Sequence, residues 1–325
     1  MIPAGTPPGR RGNANHDRYR RSVGPNSRDR LRRRGVVPAV LAAVAALVLS
    51  GCSADTLQRG YLPEASTGAT DQTQRITDLW NGSWVAALAV GVLVWGLTIW
   101  VVIAYRRRRS DDPAPRQIRY HVPLEITYTV VPLVMVSVLF YFTARDQAAI
   151  LSMDDADGGA AQHTVEVIGK QWSWDFNYVE EDVYVTGRQA QLQAPGVEDR
   201  LPQLWLPVNE RVEFHLYARD VNHSFFVPAW LFKMDNIPGR ENQFRVTPTR
   251  EGTFAGRCAE LCGENHAEML FTVRVVSREE FDAHIAELEA AGQTGQLSVE
   301  LSREGLVPGY VGGGVTGRGN EGGGN

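Results

Sequence analysis

The sequence predicts a two-helix transmembrane hairpin followed by an all-β domain. Two apolar stretches, at about 85–104 and 122–142, are each long enough to cross ~30 Å of hydrocarbon as a helix, and the first of them is uncharged. Short runs of alternating apolar residues, separated by turn residues and without helical segments between them, fill the region 160–276. That pattern is typical of a β-sandwich or barrel.

The charges beside the apolar stretches predict the orientation of the hairpin. Four consecutive arginines, 106–109, directly follow the first stretch. Lys and Arg are enriched on the cytoplasmic side of membrane spans, so this end is predicted to lie inside. The region 84–145 then forms a hairpin in the bacterial cell membrane, crossing it twice, with the β domain on the outer face.

One carboxylate, Glu125, lies near the inner end of the second span. A charged group at membrane depth is costly, which makes Glu125 a candidate functional residue. The alternative is that its side chain reaches out to the membrane interface.

The N-terminal residues 1–51 have the features of a signal peptide with a basic extension. An uncharged apolar run, Val36 to Leu49, follows several arginines and is too short to span a membrane. It ends in Leu49-Ser50-Gly51-Cys52, which resembles a bacterial lipobox, where the cysteine is lipidated and becomes the first mature residue. Lipid on Cys52 would anchor residues 52–83 as a linker on the outer face. An ordinary signal peptide with a chance cysteine at its end is the alternative.

The charge is divided unevenly along the 325 residues. Residues 1–34 contain ten Arg and two Asp, a net of +8, and because the whole chain carries −4, residues 35–325 carry −12. Basic residues are concentrated at the N-terminus and in one later cluster, and this distribution disfavours nucleic-acid binding. Three cysteines are too few for a secreted domain built on disulfides.

Two parts of the outer region depart from the strand pattern. Residues 179–203 fit it least well and are predicted to be an inserted loop. Residues 277–325 are predicted to form a helix followed by a Gly-rich tail. The helix is predicted because Ser277 and Glu280 have the spacing of a capping box.

The stretch from Cys258 to Met269 concentrates metal-binding side chains: Cys258, Cys262, His266 and Met269. Thiolate and thioether are soft ligands that select copper, and imidazole suits copper as well. Two thiolates four residues apart could bridge a pair of coppers, with His266 as one terminal ligand, a distant residue as the other, and Met269 as a weak axial ligand. A disulfide or a buried thiol pair is one alternative. A zinc site is another, although Met is not a zinc ligand.

The motif Cys-x-Glu-x-Cys-x₃-His-x₂-Met resembles the binuclear copper A loop of cytochrome c oxidase subunit II, and Asp220 to Pro228 resembles an upstream segment of that family. The resemblance implies that His223 is the second imidazole and that the backbone carbonyl of Glu260 is an axial ligand. It also implies that the Glu260 side chain reaches a Mg²⁺ ion shared with subunit I. The implied fold is a cupredoxin-like Greek-key barrel behind the hairpin.

Two further segments carry the same resemblance. Gly169 to Trp174 resembles an aromatic patch whose first tryptophan, here Trp172, receives the electron. An ordinary core aromatic is the alternative for Trp172. Glu125 to Pro132 resembles a second-span motif whose glutamate lies at the mouth of a proton path into subunit I, with Tyr128 in place of the usual tryptophan.

The resemblance implies an electron relay within a proton-translocating oxidase. Electrons from cytochrome c, or from a haem c domain of a neighbouring complex, would pass through copper to haem in subunit I, where oxygen is reduced to water. Subunit I, subunit III and membrane lipid are the implied partners. The rival hypotheses are a membrane-anchored copper chaperone with a Cys-x₃-Cys site and the copper A domain of nitrous oxide reductase, a soluble enzyme with a larger His-rich domain.

Overall fold

The computed structural model describes residues 43, 53–106, 118–156, 158–190, 196 and 200–301. The apolar run of the predicted signal peptide, apart from residue 43, lies outside these residues, and so do the predicted lipid anchor Cys52 and arginines 107–109. The Gly-rich tail beyond residue 301 also lies outside them.

Two long apolar helices precede the β domain. Within the described residues the α-helices are α1 (Ala54–Gln58), α2 (Thr73–Ala104), α3 (Val122–Ile150) and α4 (Arg278–Ala290). Helices α2 and α3 are long and apolar enough to cross a membrane, and the side chains of their most apolar windows are exposed. The stretches 85–104 and 122–142 lie within α2 and α3. Both helices continue beyond these stretches where they approach the β domain.

Over its described residues, the β domain consists of two five-stranded sheets that enclose one core. The strands are β1 (His163–Lys170), β2 (Ser173–Tyr178), β3 (Val183–Thr186), β4 (Gln203–Pro207), β5 (Val212–Ala218), β6 (His223–Val227), β7 (Phe232–Asn236), β8 (Asn242–Val246), β9 (Gly252–Cys258) and β10 (Leu270–Val276). Their orders are β3-β2-β1-β5-β8 and β4-β10-β9-β6-β7. The predicted sequence of two apolar helices and an all-β domain is confirmed, and the two sheets agree with the implied cupredoxin-like architecture.

The chain passes repeatedly between the two sheets, so non-consecutive strands become neighbours. Strand β1 pairs with β2 in antiparallel fashion and with β5 in parallel. Strand β10 likewise pairs antiparallel with β9 and parallel with β4. Alternate residues of each strand therefore face a common interior, as the period-two pattern requires.

Aromatic side chains fill this interior. Trp174, Phe225 and Phe271 are at most 1% exposed, and the Phe225 and Phe271 rings stack with their centroids 4.9 Å apart. The Phe271 ring occupies space that a side chain at Gly256 would need, since an added Cβ there would lie 2.1 Å from the ring. Close packing of this kind makes the β domain a rigid support for its loops.

One prediction about local structure is wrong, and one candidate residue lies outside the strands. The predicted inserted loop contains β3, because Val183 and Val185 continue the first sheet beside β2. Trp172 does not continue the buried aromatic face of β2. It lies in the turn between β1 and β2, whose last paired residues are Lys170 and Ser173, and it is only partly buried.

The segment before α2 is bound to the β domain through its backbone. The Asp71 N–H donates to the Thr247 carbonyl (3.0 Å), and the Thr249 N–H donates to the carbonyl of the fully buried Ala69 (3.1 Å). The Trp80 indole N–H in α2 donates to the Gly60 carbonyl (2.8 Å). The residues between α1 and α2 are therefore hydrogen-bonded to the β domain and to α2.

One side chain at the start of α2 contacts both the second helix and the β domain. The Gln72 amide N–H₂ donates to the Ile150 carbonyl at the end of α3 (3.3 Å) and to the Arg245 carbonyl in β8 (2.8 Å). Nearby, the buried Asp146 of α3 accepts hydrogen bonds from Arg75 of α2 (3.1 Å) and from Arg145 (2.9 Å). The hydrogen bonds from Gln72 and Arg75 tie the paired ends of the two helices to each other and to the sheet.

The C-terminal helix and the residues after it cover the sheets. The capping box of Ser277 and Glu280 is confirmed, and the helix buries Phe281, Ile285 and Leu288. After α4 the chain crosses the first sheet, where the Leu297 N–H donates to Asn177 (2.9 Å).

Candidate metal centre

The loop between β9 and β10 contains the clustered metal-binding side chains. Cys258 is the last residue of β9, and the Cys258 N–H donates to the Met269 carbonyl (2.9 Å), which closes the loop at its base. Gly263 turns the chain with a φ of +130°, a conformation that side-chain-bearing residues rarely adopt. A 3₁₀ helix over His266–Glu268 then returns the chain to β10.

His223 approaches the loop from a different strand. Strand β6 pairs with β9 so that Phe225 lies opposite Cys258, which brings the first residue of β6, His223, beside the thiol. The Ala259 N–H also donates to the Ser224 carbonyl (3.0 Å). Sheet pairing thus joins a histidine to cysteines that are 35 and 39 residues away in the chain.

The predicted ligand atoms converge around two sulfurs. Cys258 Sγ and Cys262 Sγ lie 3.9 Å apart, far beyond the ~2.05 Å of a disulfide bond, so the disulfide alternative is wrong. His223 Nδ1 lies 3.9 Å from Cys258 Sγ, and His266 Nδ1 lies 3.5 Å from Cys262 Sγ. Met269 Sδ is 3.7 Å from Cys262 Sγ. The Glu260 carbonyl oxygen is 3.2 Å from Cys258 Sγ.

The site is almost closed to solvent and favours one thiolate. Cys258, Cys262, His223 and Met269 are at most 5% exposed. Hydrogen bonding to Cys262 lowers the pKa of the Cys258 thiol to about 3, against the effect of burial. The same contact raises the pKa of Cys262, because a second thiolate would be repelled by the first. A bound cation would remove this repulsion and favour both thiolates.

A buried carboxylate orients the histidine. His223 Nε2 lies 2.7 Å from Asp220 Oδ1, which leaves Nδ1 facing Cys258. Burial lowers the pKa of His223, but the contacts with Asp220 and Cys258 outweigh it and raise that pKa above its ordinary value. Burial likewise raises the pKa of Asp220, yet hydrogen bonds from His223 and from two backbone N–H groups lower it overall.

The donor set fits a copper centre. Two thiol sulfurs, two imidazole nitrogens and a thioether are ligands that copper accepts together, whereas zinc sites do not use methionine. Each imidazole nitrogen is close enough to one sulfur for a single metal ion to contact both.

The structure places the remaining candidate residues as follows. The Trp172 ring lies against the metal loop, where an added Cβ at Gly263 would be 3.1 Å from it. Glu125 is in the first turn of α3, and its side chain accepts the N–H of the N-cap residue His121 (3.0 Å).

Two polar residues beside the site, Gln171 and Asp220, received no role from the sequence. Gln171 Nε2 donates to the Cys262 carbonyl (2.6 Å), and the Gln171 N–H donates to Asp220 Oδ2 (2.6 Å). In the sequence, only the position of Asp220, three residues before the predicted ligand His223, could have indicated a role at the site. No local pattern distinguishes Gln171 from a surface residue.

The chain is similar to proteins of one known family. The family model described as "Cytochrome C oxidase subunit II, periplasmic domain" matches residues 163–276. The chain is 43% identical to the probable cytochrome c oxidase subunit 2 of Streptomyces avermitilis, over 86% of this chain and 96% of that protein. It is 32% identical to cytochrome c oxidase subunit 2 of Corynebacterium glutamicum, over 79% and 85% of the two chains.

A solved structure with related sequence is the periplasmic domain of cytochrome oxidase subunit II of Bradyrhizobium japonicum. It is 32% identical, and the match covers 40% of this chain and 96% of that chain with a TM-score of 0.37.

Proposed function

Because the chain belongs to the cytochrome c oxidase subunit II family, we propose that it receives electrons outside the membrane and passes them to haem in subunit I. The chain is thus a component of a haem-copper oxidase, and its part in the reaction is proposed to be electron transfer. Oxygen reduction to water and proton pumping would occur in subunit I.

The observation that carries the proposal is the arrangement of two sulfurs between two imidazoles. We propose that His223, Cys258, Cys262, His266, Met269 and the carbonyl of Glu260 hold a binuclear copper centre. Copper held by thiolate and imidazole changes its oxidation state by one electron, and this is the chemistry that the metal supplies.

The protein's own part is to fix the ligands and exclude water. His223 and Cys258 lie on paired strands, and Met269 is fully buried at the closed base of the loop. The hydrogen bonds between the paired strands, the hydrogen bond from the Cys258 N–H to the Met269 carbonyl and the packed aromatic core resist movement of the ligand atoms. A site that keeps its geometry in both redox states transfers electrons with little reorganisation.

We propose Trp172 as the residue through which electrons reach the site. Its ring is partly exposed and also contacts the loop next to Cys262, so it connects the surface with the metal ligands. Residues 122–325, which contain the β domain, carry a net charge of −14, and this supports electrostatic steering of a basic donor, such as cytochrome c or a tethered haem c domain.

The remaining parts of the proposal concern the membrane and the neighbouring subunits. Glu125 is proposed to lie at the mouth of a proton path, and the Glu260 side chain to share a Mg²⁺ ion with subunit I. Contact with subunit III, lipid on Cys52 and an outer location of the β domain complete the proposal. The four arginines after the first span support this orientation.

The copper-chaperone hypothesis finds no support in the location of the cysteines. Thioredoxin-like chaperones place the pair before a helix, whereas here the pair lies in a loop between two antiparallel strands.

Metal analysis and the visible spectrum of the purified membrane complex test the proposal. We expect two coppers in this subunit and a purple thiolate spectrum, both abolished by Cys258→Ser or Cys262→Ser. Met269→Leu should alter the spectrum, and Met153→Leu, outside the cluster, should not. A single copper in this subunit, or an unchanged spectrum in the cysteine variants, would contradict the binuclear site.

A further inference from the structure

The turn between β1 and β2 is attached to the metal loop by one side chain. The Gln171 amide Nε2 donates to the Cys262 carbonyl at 2.6 Å, across 91 residues of sequence. This carbonyl belongs to a ligand residue and directly precedes Gly263, the residue against which the Trp172 ring lies. Gln171 therefore connects the residue before Trp172 to the segment that Trp172 contacts.

The backbone of Gln171 makes a second connection to the site. Its N–H donates to Asp220 Oδ2 (2.6 Å), and the other oxygen of that carboxylate contacts His223 Nε2 (2.7 Å). The side chains of Asp220 and His223 are 7% and 0% exposed, so both contacts are shielded from water. Gln171 thus reaches both halves of the ligand set, Cys262 directly and His223 through Asp220.

The Trp172 ring packs against the hydrophobic core of the β domain but is not held by a hydrogen bond. Among the described residues its indole N–H has no hydrogen-bond partner. A side chain at Gly263 would crowd this contact, since an added Cβ would come within 3.1 Å of the ring and 3.0 Å of Gln171 Nε2. The position of the ring therefore depends on packing and on the backbone that Gln171 fixes.

We propose that Gln171 is a positioning residue, which holds the Trp172 ring against the metal loop so that electrons pass quickly between them. This inference rests on the proposed role of Trp172 in electron input. A neutral amide suits the position because it donates a hydrogen bond without bringing charge. A carboxylate of the same size would repel both the Cys262 carbonyl and the thiolates.

The test is stopped-flow reduction of copper in the purified oxidase by a soluble, basic cytochrome c. In Gln171→Leu we expect the limiting rate at saturating donor to fall about tenfold, since small displacements of a positioned group slow a reaction by such factors. The half-saturating donor concentration, the copper content and the copper spectrum should stay the same. Gln189→Leu is the matched control, because Gln189 contacts the Glu268 side chain and not the loop backbone.

Two further variants make the test decisive. Gln171→Glu keeps the size of the side chain but lacks the N–H donor, so it should slow the limiting rate even if Gln171→Leu does not assemble. Combined with Trp172→Ala, Gln171→Leu should add no further loss, since both substitutions interrupt the same route.

The possible contrary results have different meanings. A normal limiting rate in both Gln171 variants, with Trp172→Ala slow, would overturn the positioning role alone. A higher half-saturating donor concentration at a normal limiting rate would make Gln171 a donor contact and overturn it as well. A normal rate in Trp172→Ala would instead refute the proposed route of electron input.

Discussion

His223 Nε2 lies 2.7 Å from Asp220 Oδ1, in a contact where the two side chains are 0% and 7% exposed. The contact fixes the ring so that its other nitrogen, Nδ1, faces the Cys258 sulfur. Carboxylates behind metal-binding histidines commonly have this orienting role and increase the basicity of the ligand. Asp220 therefore contributes to the metal site without being one of its proposed ligands.

Asp220→Asn is expected to weaken copper binding. Loss of such a carboxylate typically costs about 10- to 100-fold in metal affinity. Copper titration of the metal-depleted oxidase against a competing chelator would measure the change. Asp235→Asn, on the neighbouring strand β7, is the control, and equal affinities in the two variants would show that Asp220 does not orient the ligand.

The buried His163 is expected to make stability depend on pH. Burial lowers its pKa, but Glu181 (2.6 Å) and Glu210 (3.0 Å) outweigh both that effect and the nearby Arg278, and the pKa is raised overall. The stabilisation is therefore fully present below the ordinary value of about 6.5 and is lost as pH rises through the folded-state pKa. Thermal unfolding should show that His163→Asn loses more stability at pH 6 than at pH 9. An equal loss at both values would exclude this linkage.

Gly256→Ala is expected to destabilise the β domain. The added methyl group would lie 2.1 Å from the buried Phe271 ring, and such overpacking costs about 1–3 kcal/mol. The temperature at which the copper spectrum is lost should fall. Gly82→Ala is the control, because apart from its own helix backbone and chain neighbours no atom lies within 4 Å of its added Cβ, and it should not lower that temperature.

Ser277→Ala is expected to destabilise α4. The Ser277 hydroxyl accepts the Glu280 N–H (3.2 Å), and loss of an N-cap costs about 1 kcal/mol. The helix buries Phe281 against the Tyr178 ring, so its loosening should lower the thermal midpoint of the β domain. Ser298→Ala, outside the helix, should have a smaller effect. If both variants unfold at the same temperature, the cap does not stabilise the fold.

The metal loop could be predicted because its ligands are close in sequence. Cys258, Cys262, His266 and Met269 lie within twelve residues, and their chemistry alone indicates copper. His223 could be assigned only through the family resemblance, since its approach depends on the pairing of β6 with β9. The capping box at Ser277 could be predicted for the same local reason as the loop.

The features that could not be predicted depend on contacts between distant residues. The hydrogen bond from Gln171 to Cys262 requires the first and second sheets to face each other. The bridge between Thr70 and Pro248 joins residues that are 178 positions apart, and no local pattern marks either of them. Strand β3 was missed because it has only four residues in a polar segment.

The position of Gln72 has a consequence for the working of the whole oxidase. Its single amide links the end of α3 to β8, so the β domain cannot swivel on the hairpin without breaking these hydrogen bonds. The distance between the metal loop and the paired helix ends is thereby set within one polypeptide. For the proposed electron transfer, this would give a donor in solution and an acceptor in the membrane a spacer of constant length.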